Sequence, residues 1–136
     1  MKKEIRDMQV NFELFEEGQA DQKTGERLRV TLNKDCRMFF NARAMEALGA
    51  PDGVALLFDR RRQIIGVMPS ALNRKHAYRL RPQHRGLRSR VITVRNFCRH
   101  YEINPSETVA FPDAEVNRDG ILVLDLHAAS AVGRGQ

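Results

Sequence analysis

Several features that would define a function class are scarce in this sequence of 136 residues. It has no tryptophan and only two cysteines, Cys36 and Cys98, which are too few and too far apart for a disulfide scaffold. No apolar run is long enough to cross a bilayer, and the N-terminus lacks the apolar run of a secretory signal. We therefore expect a single domain over residues 1–136 that is soluble and cytoplasmic, with reduced thiols and no contact with membranes.

Motifs for catalysis and metal binding are also missing. The sequence contains no phosphate-binding glycine loop, no nucleophile elbow and no carboxylate pair in an apolar setting. The four histidines and two cysteines are scattered without a CxxC or HxxxH pair. We therefore expect no enzyme activity, no catalytic residue, no metal-binding residue and no cofactor.

Acidic residues are absent from one long segment of the chain. Between residues 60 and 101 lie twelve of the 23 basic residues and none of the 17 acidic ones. Eleven of these twelve are arginine, whose planar guanidinium forms paired hydrogen bonds with phosphates and guanine edges. Because like charges at this density repel one another, an anion is expected to neutralise them. The segment predicts contact with nucleic acid, although a solvated surface or an acidic protein partner would also accommodate it.

The candidate contact residues fall into two groups. The first is a hairpin tip of three consecutive arginines at 60–62, beside Asp59, whose carboxylate would orient one guanidinium. The second contains two Arg-x-Arg motifs, at 79–81 and 88–90. Their spacing predicts two antiparallel strands that display four guanidinium groups on one face, as a ribbon lying against a duplex. Solvated charges on a turn and a loop are the alternative. The expected nucleic-acid contacts are Arg60, Arg61, Arg62, Arg74, Lys75, Arg79, Arg81, Arg85, Arg88 and Arg90.

Aromatic side chains are rare in the basic segment. Tyr78 is the only one in its densest part, and the pattern places Phe97 and Tyr101 on the buried face of a short helix. Single-strand binders of the OB-fold and RRM kinds stack bases on two or three exposed aromatic rings. The sequence therefore favours duplex DNA over a single strand, and it leaves structured RNA open.

Hydrophobic periodicity predicts an α+β fold that is rich in β-structure, with seven to eight strands and two short helices. Apolar and polar residues alternate over 8–14 and again over 28–32. We expect these segments to form an N-terminal hairpin at 8–32. Residues 128–136 are small or polar and are expected to fray.

The centre of the chain combines a short helix with a strand hairpin. Asn41 is a typical helix N-cap, and residues 42–48 carry a helical pattern that Gly49 closes. A continuous apolar strand follows at 54–58. A return strand at 64–68 lies beyond the arginine turn.

The same order of elements recurs in the second half. A β-branched strand at 90–94 precedes a short helix that Asn96 would cap. A strand at 108–111, a turn at 117–120 and a return strand at 121–124 complete the order. The two halves share the order of their elements but few identical residues. This repeat predicts an internal duplication in which Arg37 superposes on Arg90.

The segment 37–50, RMFFNARAMEALGA, followed by strands at 54–58 and 64–69, resembles the AbrB-like (swapped-hairpin) family. Two such halves in one chain resemble the MraZ-like proteins, which look like two AbrB-like units fused in a single chain. The resemblance implies two pseudo-duplicated lobes, 28–69 and 77–127, and a DNA-binding regulator or antitoxin that docks through basic loops and strands. It also implies a homodimer, unless the duplication completes the core within one chain.

These features together predict a duplex DNA-binding transcriptional regulator that docks through an arginine-rich face. The alternative is a non-enzymatic assembly protein whose basic face binds an acidic protein partner or structured RNA. Steep salt dependence of binding would distinguish contact with backbone phosphates from a shape-specific protein interface.

Overall fold

The computed structural model describes residues 27–83 and 88–132. In them the chain forms eleven short strands and two short helices, arranged as two antiparallel sheets. This confirms the β-rich α+β fold, although the strands outnumber the seven to eight predicted. Five strands have only two residues, too few for periodicity to detect. The elements are β1 (Val30–Leu32), β2 (Arg37–Phe40), α1 (Ala42–Ala47), β3 (Gly53–Asp59), β4 (Ile64–Pro69), β5 (Tyr78–Arg79), β6 (Arg81–Pro82), β7 (Arg90–Thr93), α2 (Arg95–His100), β8 (Val109–Ala110), β9 (Glu115–Val116), β10 (Leu122–Asp125) and β11 (Ser130–Ala131), with a 3₁₀ turn at Leu126–Ala128.

Both sheets mix strands from the two halves of the chain. The six-stranded sheet has the order β11-β8-β1-β2-β7-β6, and the five-stranded sheet has the order β5-β3-β4-β10-β9. The expected lobes, 28–69 and 77–127, therefore do not correspond to separate sheets, because β2 pairs with β7 and β4 pairs with β10. Neither helix of the described residues is long and apolar enough to cross a membrane.

The pairing of β2 with β7 is symmetric. Arg37 lies opposite Thr93, and Arg90 lies opposite Phe40. Superposing Arg37 on Arg90 and Phe40 on Thr93 exchanges the two strands and reproduces the same register. A twofold relation of this kind is what a duplicated unit would give, and the duplication itself stays a prediction.

One buried cluster holds the sheets and helices together. Alternation along each strand turns one face inward, so that Leu32, Met38 and Phe40 of the six-stranded sheet are fully buried. Ile65 and Leu124 of the five-stranded sheet belong to the same cluster. Burying a side chain of this size stabilises the fold by about 1.5–3 kcal/mol relative to leaving it exposed.

The helix α1 begins where the sequence predicts. The Asn41 Oδ1 accepts hydrogen bonds from the backbone N–H of Ala44 at 2.9 Å and of Arg29 at 3.0 Å. Its Nδ2 donates to the Arg27 carbonyl at 2.6 Å. One side chain therefore caps the helix and fixes the chain that leads into β1.

The helix α2 does not begin as predicted. Its N-cap is Val94, with no side-chain hydrogen bond, and Asn96 lies inside the first turn. The N–H of Val94 donates to the Cys36 carbonyl at 2.7 Å, and the Val94 side chain is fully buried. This long-range contact fixes the residue at which the helix starts. The N-cap prediction used only the local sequence, which contains no information about a contact with Cys36.

The predicted turn at 117–120 is present, but its first strand is not the expected one. Asn117 Oδ1 accepts from the N–H of Asp119 at 2.9 Å and of Ile121 at 3.0 Å. The strand before this turn is β9, whereas β8 pairs with β1 in the other sheet. Phe111 follows β8 and is buried, and its N–H donates to the Val30 carbonyl at 3.2 Å. Burial of Phe111 directs the chain to the six-stranded sheet.

The ends of the described chain bear on two further expectations. The predicted hairpin at 8–32 falls mostly outside the described residues, and its return strand is β1. Ser130 and Ala131, expected to fray, instead form β11 against β8. The N–H of Val132 also donates to the Thr108 carbonyl at 2.9 Å, so backbone pairing orders a segment whose side chains give no signal.

Candidate nucleic-acid interface

The hairpin tip between β3 and β4 has a fixed backbone. Gln63 adopts a positive φ of 58°, and its N–H donates to the Asp59 carbonyl at 2.7 Å. Asp59 Oδ1 accepts from the N–H of Arg62 at 3.0 Å, and Gln63 Nε2 donates to the Arg60 carbonyl at 2.8 Å. Asp59 therefore holds the backbone of the turn, not a guanidinium as the sequence analysis expected. All three arginines of this turn are exposed.

Tyr101 connects the tip to the end of α2. The guanidinium carbon of Arg60 lies 4.9 Å from the centroid of the Tyr101 ring, in a cation–π contact. The ring centroids of Phe58 and His100 lie 4.5 Å and 4.6 Å from that of Tyr101. We call the resulting region the tip surface; it consists of Arg60, Arg61, Arg62, His100 and Tyr101.

Two adjoining hollows bring further cations together with aromatic rings. The first has a volume of about 720 Å³ and is lined by Arg37, Arg79 and Arg81. The second has a volume of about 680 Å³ and is lined by Lys75, by two histidines and by Tyr101. Ala77 and Tyr78 line both hollows, so the hollows adjoin at this segment, and the second shares His100 and Tyr101 with the tip surface. We call the pair of hollows the basic groove; its polar and aromatic residues are Arg37, Phe39, Lys75, His76, Tyr78, Arg79, Arg81, Gln83, Thr93, Asn96, Phe97, His100 and Tyr101.

No aspartate or glutamate among the described residues lines the basic groove. Its charged side chains are all arginine or lysine, and the rest of its wall is aromatic, aliphatic or neutral and polar. A concave surface that carries one sign of charge concentrates the field and attracts ions of the opposite sign. The groove is therefore suited to a polyanion.

The predicted four-arginine ribbon is wrong. Arg79 lies in β5, which pairs with β3 of the five-stranded sheet, whereas Arg81 lies in β6, which pairs with β7 of the six-stranded sheet. Leu80 lies between them with only 7% of its surface exposed, and its N–H donates to the Asp52 carbonyl at 3.0 Å. Burial of Leu80 moves the chain from one sheet to the other. Both arginines nevertheless reach the same groove.

Arg88 and Arg90 lie in different surroundings. They line a separate pocket of about 180 Å³, whose wall also includes the acidic residues Glu46 and Asp52. Glu46 additionally forms an ion pair with Arg43 at 3.6 Å. Because these carboxylates lie close by, this part of the surface attracts phosphate less than the basic groove does.

The other residues expected to contact nucleic acid lie in different places. Lys75 lines the basic groove, and Arg74 lies in the exposed turn before it, where its N–H donates to the Ala71 carbonyl at 3.1 Å. Arg85 lies outside the described residues. Sequence reasoning missed Arg37, which lies opposite Thr93 on the outward face of β2. Its alternation with the buried Met38 is a period-2 signal that could have identified it.

Sequence reasoning also underestimated the aromatic surface. Tyr101, expected to be buried, is only partly buried, and Phe39 and Tyr78 are partly buried as well. All three rings line the basic groove. Burial and the nearby Cys98 raise the pKa of Tyr78.

The Cys98 thiol is buried, close to Tyr78 of the groove and to Cys36. Burial and a hydrogen bond with Cys36 raise the pKa of Cys98 from 9.0 to about 12. A thiol with so high a pKa is a poor nucleophile at neutral pH. Within residues 27–83 and 88–132, no group of three or more histidine, cysteine, aspartate or glutamate residues is placed to hold a metal ion.

Known proteins offer no relative from which to transfer a function. No family model, no curated protein and no solved structure matches this chain. The AbrB-like resemblance therefore stays a prediction, and the function has to be inferred from the surfaces described above.

Proposed function

We propose that the protein is a duplex DNA-binding transcriptional regulator that docks through the tip surface and the adjoining cations of the basic groove. The observation that carries the proposal is that the tip surface and the basic groove share His100 and Tyr101, and that no carboxylate of the described residues lines the groove. Neutralisation of backbone phosphates by such cations supplies most of the affinity of non-specific DNA binding. The proposed role is binding and not catalysis.

The exposure of the tip supports contact with a duplex. The two helices have six residues each, which is short for a recognition helix, whereas the turn between β3 and β4 exposes three consecutive arginines at one end of the five-stranded sheet. Guanidinium groups in such a turn can contact the phosphates that position a protein on a duplex. Because the turn is held by Asp59 and Gln63, little ordering of the backbone is required when Arg61 and Arg62 meet phosphates.

Further parts of the proposal concern assembly and location. A regulator of this kind would act in the cytoplasm, where its two thiols stay reduced. It would bind as a homodimer, because a twofold protein places two hairpin tips on symmetric half-sites of an operator.

The proposal is tested by fluorescence anisotropy with labelled duplex DNA across a salt series. The variant Arg60→Ala/Arg61→Ala/Arg62→Ala removes the tip cations, and Lys34→Ala/Arg95→Ala/Arg118→Ala removes the same charge from exposed sites outside both surfaces. The tip variant should bind more weakly, and its dependence of log K on log salt should be shallower by roughly 0.9 for each lost phosphate contact. The control variant should lose less affinity.

Two results would overturn the proposal. One is the absence of duplex binding at low salt, which would direct attention to an acidic protein partner. The other is equal binding by the tip variant and the control variant. Thermal unfolding of each variant checks that the fold is intact.

A further inference from the structure

We propose that the basic groove holds a single-stranded segment of nucleic acid, with its phosphates on the groove cations and its bases against Phe39 and Tyr78. This inference rests on the proposed function and extends it. The tip surface contacts a duplex, and the groove takes an unpaired strand from the end or the opened part of that duplex.

The first argument is the placement of the aromatic rings. Phe39 and Tyr78 line one part of the groove, and Tyr78 and Tyr101 line the other, so Tyr78 is the central ring of three. Base–aromatic stacking needs the face of an unpaired base, because the faces of bases inside a duplex are already stacked. Rings that line a concave wall therefore serve a single strand better than a duplex.

The second argument is the alternation of charge with these rings. Arg37, Arg79 and Arg81 surround the part of the groove that contains Phe39. Lys75 lies in the part that contains Tyr101, whose ring also contacts the Arg60 guanidinium. Proteins that bind single strands without sequence preference combine a cationic groove with such stacking surfaces.

The third argument is the rigidity of the rings. Tyr101 packs against Phe58 and Phe97, with ring centroids 4.5 Å and 5.0 Å apart, and the Arg60 guanidinium lies over its ring. Tyr101 therefore forms part of the groove wall, and stacking falls to Phe39 and Tyr78. Tyr78 lies in β5 opposite Val54, and Phe39 lies in β2 between Thr31 and Val91. Rings that are already ordered lose little side-chain entropy when a base stacks on them.

The decisive experiment compares strand states. Anisotropy is measured with oligothymidine and oligouridine of about 16 nucleotides, a length that covers known single-strand sites. A blunt duplex and the same duplex with a single-stranded overhang are measured beside them. The proteins are the wild type, Tyr78→Leu, which removes the central ring, and Tyr78→Phe, which keeps it.

We expect both oligonucleotides to bind, since stacking and phosphate contact do not require a 2′-hydroxyl, and the overhang duplex to bind more tightly than the blunt one. Tyr78→Leu should weaken single-strand binding by roughly 5- to 150-fold, the effect of losing one stacked base. It should weaken blunt-duplex binding much less, because the duplex contact depends on the cations of the tip and groove, and Tyr78→Phe should bind like the wild type. If Tyr78→Leu does not fold, Arg79→Ala/Arg81→Ala replaces it. That variant should reduce the single-strand salt slope by roughly 0.7 per lost phosphate contact.

The possible failures are distinguishable. Binding of the blunt duplex without binding of either oligonucleotide overturns the groove proposal and leaves the duplex regulator standing. Single-strand binding that neither Tyr78→Leu nor the arginine variant weakens also overturns it, because the strand then lies elsewhere. Absence of binding to every nucleic acid overturns both proposals.

Discussion

The two Arg-x-Arg motifs have the same spacing in the sequence and opposite surroundings in the structure. Arg79 and Arg81 line a groove without carboxylates, whereas Arg88 and Arg90 line a pocket that also contains Glu46 and Asp52. The central residues of the two motifs also differ, in how deeply each is buried. Leu80 is buried in the core, and Ser89 is only partly buried. The comparison shows that charge density along the chain does not define a binding surface until the neighbours of each charge are known.

The largest expected effect comes from the central residues of the two motifs. Leu80→Ala should destabilise the protein by about 2–4 kcal/mol, because it leaves a cavity where the chain passes between the sheets. Ser89→Ala should change stability by less than about 0.5 kcal/mol, because the contacts to Gln83 and Arg90 use the Ser89 carbonyl, which remains. Urea denaturation of both variants measures the difference. Equal stabilities of the two variants would mean that burial of Leu80 does not stabilise the passage of the chain between the two sheets.

The next effect concerns the arginines themselves. Arg79→Ala/Arg81→Ala should weaken nucleic-acid binding by roughly 10- to 30-fold at low salt, since two charge-assisted phosphate contacts are lost. Arg88→Ala/Arg90→Ala removes the same charge and should cost several-fold less, because nearby carboxylates already offset those cations. Anisotropy at matched ionic strength compares the two variants. A greater loss of affinity in Arg88→Ala/Arg90→Ala than in Arg79→Ala/Arg81→Ala would place the binding surface at the pocket of Arg88 and Arg90, and not at the basic groove.

A smaller effect is expected at alkaline pH and concerns the buried thiol of Cys98. Because the fold raises the pKa of Cys98 from 9.0 to about 12, the folded protein keeps a proton that the unfolded chain loses. Stability should therefore be fully present below pH 9.0 and should decrease as the pH rises towards about 12. The raised pKa of Tyr78 acts in the same direction. Denaturation of wild type and Cys98→Ala across this range tests the assignment, and an equally steep decrease in the variant would contradict it.

The smallest effect concerns the carboxylates beside the second motif. Glu46→Gln/Asp52→Asn should strengthen duplex binding by roughly two- to fivefold, because it unmasks Arg88 and Arg90 at an exposed site. Glu107→Gln/Glu115→Gln makes the same change in charge at exposed positions outside that pocket. Titrations of both variants against the same duplex separate local unmasking from a general change in net charge. Identical gains would remove the local explanation.

The elements that the sequence predicted well are those with a long local signal. The strands at 53–59 and 64–69 and the helix at 42–47 match their predicted bounds within one residue at both ends. Their apolar runs and the Asn41 cap need no distant partner to be recognised. The tip at 60–62 was predictable for the same reason, because it lies between two such strands.

The elements that the sequence did not predict depend on distant partners. β11 has two residues and is defined by its pairing with β8, and the strand expected around Arg79 pairs with β3 rather than with the strand of the second Arg-x-Arg motif. The start of α2 depends on the bond from Val94 to Cys36. A local pattern carries no information about such contacts, so the expected ribbon and the expected Asn96 cap were wrong.

The sequence by itself determined the β-rich class, the arginine tip and the separation of positive from negative charge along the chain, because each follows from residues that are adjacent or periodic. Only the tertiary structure decided that Arg37, Arg79 and Arg81 share a groove with three aromatic rings, and that Arg88 and Arg90 lie beside carboxylates. The physical reason is that electrostatic and stacking environments depend on distance in space. The pairing of short strands and the burial of Leu80 set those distances between residues that are far apart in the chain.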